Sequence, residues 1–172
     1  MGAGFSKSKR PNLLTAVREG DLRTVQRILK SSLACGDVIN DTNVSESDVD
    51  DNTPLAEAVS RIRREGDKFY EIAKLLLSQP NIAVNQQNNK GKTALHAACG
   101  YGINSHVGAQ LLLSDARCDV NVLNSDDNTP LMTAVRKVTS HDDVHAKVVK
   151  LLLQHDSADI NVTNNAGDGV EG

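Results

Sequence analysis

Aromatic side chains are nearly absent from this 172-residue chain: two Phe, two Tyr and no Trp make up 2% of it. So few flat rings leave no platform on which nucleobases could stack. An excess of one charge is missing too. Against 22 Asp and Glu stand 19 Lys and Arg, a formal net charge of −3, which argues against nucleic acid as the main partner because phosphate binding draws on surplus cations. The three cysteines, Cys35, Cys99 and Cys118, are odd in number and unpatterned in spacing, so they form neither a disulfide framework nor paired metal ligands. No stretch approaches the ~20 apolar residues of a transmembrane helix, and no apolar signal segment opens the chain. The expectation is a cytoplasmic protein with reduced thiols, in which the sequons at Asn40, Asn43 and Asn161 have no role. No nucleophile–base constellation and no Gly-rich phosphate loop occurs. An enzyme is therefore not expected, nor a cofactor or a small-molecule substrate.

What the chain does contain is repetition. Asp51-Asn52-Thr53-Pro54-Leu55, Gly91-Lys92-Thr93-Ala94-Leu95-His96 and Asp127-Asn128-Thr129-Pro130-Leu131 are three versions of one phrase. Each leads into a leucine run, at Leu75-Leu76-Leu77, Leu111-Leu112-Leu113 and Leu151-Leu152-Leu153. Each run is followed by a polar turn closing in Val84-Asn85, Val120-Asn121 or Ile160-Asn161. Self-similarity at such a spacing marks a solenoid built from one supersecondary unit. The local chemistry is helical. Thr at an N-cap followed by Pro satisfies orphan amides and pre-sets the first turn. Phe69, Ile72, Ala73, Leu76 and Leu77 fall at i, i+3, i+4, i+7 and i+8, and Val144, Val148, Leu151 and Leu152 repeat the stripe. Ala58, Ala97, Ala98 and Ala134 are small enough for first helices to approach closely.

These motifs resemble ankyrin repeats: a Thr-Pro-Leu-His-like turn, an Ala soon after, a leucine-rich second helix and a closing Val-Asn, with a usual period of about 33 residues. Here Thr53 to Thr93 is 40 and Thr93 to Thr129 is 36. From Thr to the last Leu of the run the count is 24, 20 and 24, whereas from that Leu to the next Thr it is a constant 16. The extra residues therefore sit between the two helices of a repeat, away from the hairpins. Leu13, Leu14, Ala16 and Val17, then Glu19-Gly20-Asp21, then Leu22, Val25, Ile28 and Leu29 resemble an opening repeat without the signature; terminal repeats are atypical because one face meets water. The expected architecture is all-α: an ankyrin-repeat solenoid of about four helix-turn-helix repeats, joined by β-hairpin-like loops, with long inter-helix insertions. The domain spans 11–165, with repeats near 11–40, 48–87, 88–123 and 124–163. A basic leader occupies 1–10, and 166–172 forms a tail or the start of a truncated repeat.

The family resemblance implies a module that binds another protein, an adaptor or scaffold, through hairpin tips and the inner face of first helices. Carried over by position, the partner-binding residues are Asp50, Asn52 and Arg61 in the second repeat, Asn89, Lys90, Lys92 and Tyr101 in the third, and Asp126, Asn128, Arg136 and Lys137 in the fourth. Val49, Ser60, Gly100 and Ser125 share those faces. The hairpin Gly is kept at Gly91 and replaced by Asp51 and Asp127, and Asp tolerates a left-handed backbone better than most residues. His96 occupies a position where the family uses a histidine to hydrogen-bond neighbouring turns. Asn164-Asn165-Ala166-Gly167 matches the opening of another hairpin, in register with Asn88-Asn89-Lys90-Gly91. No helix pair follows it within this sequence, which reads as a fragment or short variant of a longer array.

Met1-Gly2-Ala3-Gly4-Phe5-Ser6 fits the N-myristoylation pattern, with Gly2 the acceptor. One acyl chain gives marginal membrane affinity, on the order of 10⁴ M⁻¹. Lys7, Lys9 and Arg10 would supply the second signal at about 1 kcal/mol each on an anionic leaflet. This reading gives an adaptor at the cytosolic membrane face; the alternative is a soluble regulatory inhibitor that occludes an enzyme or transcription factor. His141 and His145, one helical turn apart, resemble half a metal site but lack a third ligand, and no metal is expected. The acidic run from Asp37 to Asp51 reads as a solvated insertion rather than a docking segment or a phosphorylation target at Ser45 or Ser47, and the Arg61, Arg63, Arg64 cluster either assists membrane contact or solvates a long helix end.

Overall fold

Thr53 and Thr129 each have an extended backbone and start a helix: their hydroxyls accept the N–H of Ala56 and Met132, both at 3.2 Å, with Pro54 and Pro130 in the first helical turn. Asn12 and Asp67 do the same for two further helices through Thr15 N–H (2.7 Å) and Tyr70 N–H (2.8 Å). The computed structural model describes residues 12–35, 52–100, 105–138, 143–167 and 169. Among them lie eight helices: α1 (Leu13–Glu19), α2 (Leu22–Cys35), α3 (Pro54–Ser60), α4 (Lys68–Leu77), α5 (Ala94–Gly100), α6 (Ser105–Leu113), α7 (Pro130–Val135) and α8 (Asp143–Leu153). They pair as α1–α2, α3–α4, α5–α6 and α7–α8, here called repeats 1 to 4.

The short first helices stack in one column, α1 on α3 on α5 on α7. Ala58, Ala97, Ala98 and Ala134 line that column and are buried, so small side chains do set the close approach. The second helices bury one stripe each. In α4 it is Ile72, Ala73, Leu76 and Leu77; in α8 it is Val148 and Leu152, flanked by the half-buried Val144 and Leu151. One aliphatic core runs from Leu13 to Leu152. Each fully buried leucine in it contributes about 2 kcal/mol of transfer free energy.

The connections between paired helices differ in length as the spacing predicts: 20–21 in repeat 1, 61–67 in repeat 2, 101–104 in repeat 3 and 136–142 in repeat 4. The insertions are on the inter-helix edge. They coincide with a break in the second column. Whereas α2 packs on α4 and α6 on α8, α6 leans instead on α3. A Cβ on Gly108 of α6 would lie 2.8 Å from Val59 Cγ1, so the absence of a side chain lets α6 sink against α3. That leaves a cleft of about 340 Å³ beside α4, lined by Glu65, Tyr70, His106, Val107, Gln110, Leu111 and Ser114.

Candidate protein-binding surface

The hairpin edge is organised around asparagines. Asn88 Oδ1 accepts the backbone N–H of Lys90 and Lys92 (both 2.9 Å) while its own N–H donates to Lys92 O (2.9 Å), and Gly91 N–H returns to Asn88 O (2.9 Å). Asn124 repeats the pattern: Oδ1 takes Asp126 N–H (2.9 Å) and Asn128 N–H (3.0 Å), its N–H reaches Asn128 O (3.0 Å) and Asp127 N–H reaches Asn124 O (2.9 Å). These hairpin-like loops need a left-handed residue. Gly91 supplies it at φ 67° and Asp127 at φ 55°, the sole non-glycine of positive φ among the described residues. Gly91 has a second reason to lack a side chain, since its Cβ would fall 2.7 Å from Ser125 N. That same N–H donates to Lys90 O at 3.0 Å. Adjacent tips are thereby held side by side.

Three further devices lock repeat to repeat. His96, buried in α5, accepts Thr93 N–H at Nδ1 (3.2 Å), and Nε2 lies 3.0 Å from Asn128 O. A ring nitrogen that accepts leaves the proton on the other, so Nε2–H donates to the next hairpin. Thr93 Oγ1 meanwhile receives His96 N–H (3.4 Å), a capping box with histidine in place of glutamate. Burial holds the imidazole pKa below its usual 6.5, aided by the nearby Lys92 charge and opposed by the bond to Asn128 O. The resemblance-based role for His96 is thus the one the geometry displays.

The second device is the Asn of each closing Val-Asn. Asn85 donates to Arg117 O (2.8 Å) and accepts Asp119 N–H (2.9 Å). Asn121 donates to Ser157 O (2.6 Å) and accepts Asp159 N–H (2.9 Å). One amide thus satisfies a carbonyl and an N–H two residues apart in the following repeat. The recurrence of Val-Asn was the signal for it, although not for its partners. The third device had no repeating signal. Arg117 places Nη2 2.6 Å from Leu77 O and Nη1 3.0 Å from Gln79 O, closing the C-terminus of α4. Its fork also grips both oxygens of Asp115 (2.9 and 2.6 Å), which holds that carboxyl below its usual range.

The residues carried over from the family now divide. Asn89 and Lys90 stand exposed at one tip and Asp126 at the next, with Ser125 beside it; Arg136 and Lys137 are exposed just past α7, followed by Val138. The first four belong to the hairpin tips and the last three to the inter-helix connection after α7. Asn52 and Asn128 point inward instead: Asn52 Oδ1 accepts the amide of Asn88 and Asn128 Oδ1 that of Asn164, both at 3.0 Å. Lys92 holds the equivalent middle position, where an ammonium can only donate. The Asn-to-Asn amide bond of the hairpins on either side needs an acceptor that Lys92 does not offer. Arg61 binds Glu57 (2.6 Å) and Arg18 O (3.2 Å) and lies 5.8 Å over the Phe69 ring, tying repeat 2 to repeat 1. Gly2, Lys7, Lys9, Arg10, Asp50, Tyr101, His141 and the acidic run 37–51 lie outside the described residues.

Among the described residues no group of three or more His, Cys, Asp or Glu could hold a metal ion, and no helix is long and apolar enough to cross a membrane. Cys99 is buried and Cys118 half-buried. Burial, with Asp115 and Asp119 nearby, pushes the Cys118 thiol up to about 12.

Comparison with known proteins agrees with this frame. The chain is 31% identical over 152 residues to the SMC5-SMC6 complex localization factor protein 1 of Bos taurus, covering 84% of this chain and 13% of that protein. It is 35% identical over 123 residues to the Homo sapiens protein of the same name, covering 70% and 10%. The chain thus spans about a tenth of the length of these relatives. The family model for ankyrin repeats matches three copies over residues 62–164. The chain is a member of the ankyrin-repeat family and a protein–protein interaction module.

Proposed function

We propose that the chain is an adaptor that holds another protein across the tips of the third and fourth hairpins and the exit of α7. The observation that supports it is a division of roles within each loop. Asn88 and Asn124 bond the polar backbone of their hairpins, while Asn89, Lys90, Ser125 and Asp126 are exposed. A pre-ordered frame spares the complex much of the ordering cost of association. Lys90 and Asp126 at the tips, with Arg136 and Lys137 past the far end of α7, suit a partner of mixed charge with an acidic majority that reaches across the first helices.

The relatives' name makes the SMC5-SMC6 complex the first partner to test. Calorimetry of the purified complex against the wild-type chain and a Lys90→Glu/Arg136→Glu/Lys137→Glu variant addresses both halves of the proposal. At least tenfold weaker binding by the variant, with unchanged thermal unfolding, supports the surface. Equal binding by both removes it, and no binding by the wild type removes this partner.

The N-terminal motif adds a location to the same proposal. Acylation at Gly2, with Lys7, Lys9 and Arg10, tethers the adaptor to an anionic membrane face. Without acylation the same surface serves a soluble inhibitor. Intact mass after co-expression with an N-myristoyltransferase, beside Gly2→Ala, separates the two: a Gly2-dependent gain of one myristoyl group supports the tether, and an unchanged mass eliminates it.

A further inference from the structure

The cleft beside α4 opens where the stacking of second helices is interrupted. Those helices pack as α2 on α4 and α6 on α8, but α6 leans on α3 and leaves one flank of α4 uncovered. The resulting space, about 340 Å³, is at the small end of the range for ligand pockets. Two turns of a helix ~10–12 Å across would exceed it about twofold or more. The cleft therefore admits side chains and not a whole helix.

Its walls differ in chemistry. From α6 come two rows: Val107 and Leu111, half-buried and packed on the core, and His106, Gln110 and Ser114, each a turn beyond the last. From the other side come Tyr70, in the first turn of α4, and Glu65, in the connection before it. Glu65 is exposed, and its carboxylate meets the Tyr70 hydroxyl at 3.5 Å, the outer limit of a hydrogen bond. It keeps the capacity for a stronger, charge-assisted partner. Among the described residues lining the cleft it is the one carboxylate, and no lysine or arginine stands there to answer it. Arg63 and Arg64 precede it in the chain but do not line the cleft, and their backbone N–H groups go to Asp67.

We infer that this cleft is a second binding site, separate from the hairpin tips, and that it takes an arginine side chain presented by a partner protein. Each part of that residue has a counterpart in the walls. The planar guanidinium matches the Glu65 carboxylate and stacks on the Tyr70 ring. Its aliphatic stem covers Val107 and Leu111, and the Gln110 side-chain oxygen accepts a remaining N–H. A lysine would answer the charge but lacks the plane that ring and carboxylate favour. The hairpin surface suits a mainly acidic partner and the cleft a basic one, so the two sites serve different partners.

The test uses the full chain, isotope-labelled for amide NMR and titrated with N-acetyl-arginine methylamide. A parallel titration uses the N-acetyl-citrulline derivative, which keeps the shape and loses the charge. The expected result is saturable shifts of the Tyr70, Val107 and Gln110 amides with a dissociation constant on the order of 1 mM. The citrulline compound should bind about fivefold more weakly. Glu65→Gln should bring arginine binding down to the citrulline level at an unchanged thermal midpoint, since Glu65 is exposed. Gln110→Arg, also at an exposed position, should abolish binding by placing a cation of the chain's own at the cleft. The Lys90→Glu/Arg136→Glu/Lys137→Glu variant should bind the probe as the wild type does, which separates this result from that of the hairpin surface. Equal binding of the two compounds overturns the inference, as does arginine binding that Glu65→Gln leaves intact. Shifts spread over other acidic positions such as Asp126 and Asp143, or no saturable shift at the cleft, overturn it as well.

Discussion

The two long edges of this solenoid obey different rules. Along the hairpin edge the count from leucine run to Thr never varies, and in the described loops backbone groups bond within their own loop or to the next. Along the inter-helix edge the connections run from two residues in repeat 1 to seven in repeats 2 and 4. The difference teaches where register is set. A loop that must meet its neighbour's backbone at fixed hydrogen-bond distances cannot gain a residue, whereas one that only joins the ends of two helices can, at small entropic cost.

A pair of glycines separates the edges most sharply. Gly91 on the hairpin edge and Gly66 on the other are both left-handed, at φ 67° and 77°. Gly91→Ala should cost about 3 kcal/mol or more, because a left-handed cost of ~1–2 kcal/mol is joined by overlap with the backbone at Ser125. Gly66→Ala meets nothing within 4 Å and should cost only the conformational part, ~1–2 kcal/mol. Urea midpoints at constant slope would measure both; equal losses would contradict the account of the edges.

His96→Ala should follow at about 3 kcal/mol, from a cavity in α5, an orphaned Thr93 N–H and the loss of one of the two bonds to the Asn128 carbonyl. It also carries a pH signature. The folded state holds the imidazole neutral below its ordinary pKa of 6.5, so the unfolded chain takes up a proton that the native chain refuses. Stability should therefore fall as pH drops from 6.5 toward the folded value. The variant should lose that part of the slope in denaturation curves recorded from pH 7.5 to 5.

Asn121→Ala should cost about 1–2 kcal/mol, by freeing Ser157 O and Asp159 N–H. Faster amide exchange at Asp159 would localise the effect to the junction with repeat 4. The smallest change runs the other way. Lys92→Asn restores the amide acceptor found at Asn52 and Asn128, and should stabilise by about 0.5–1 kcal/mol through a bond from Asn124. A midpoint no higher than wild type would show that this amide bond adds nothing.

Much of this contrast was legible before any coordinates. Three copies of Thr and leucine run fixed the helix pairs, and comparing two intervals located the insertions, because both signals are local and repeated. The bonds that make the hairpin edge rigid were less visible. Arg117 reaches back to Leu77, and Asn121 forward to Ser157; neither stretch looks unusual on its own. Position alone also could not tell Asn89, which faces solvent, from Asn128, whose amide oxygen serves the next hairpin. Both are polar residues of the same loop family, and only the stacking decides between crown and frame.

Gly108 has a mechanical consequence. By letting α6 drop onto α3, it slits the second-helix column between repeats 2 and 3 while the hairpin edge stays stitched across the same junction. A strip joined along one margin and slit along the other bends about the joined margin. A flexing at that junction would widen the cleft beside Tyr70 and His106 and change the curvature along which Lys90 and Asp126 are displayed.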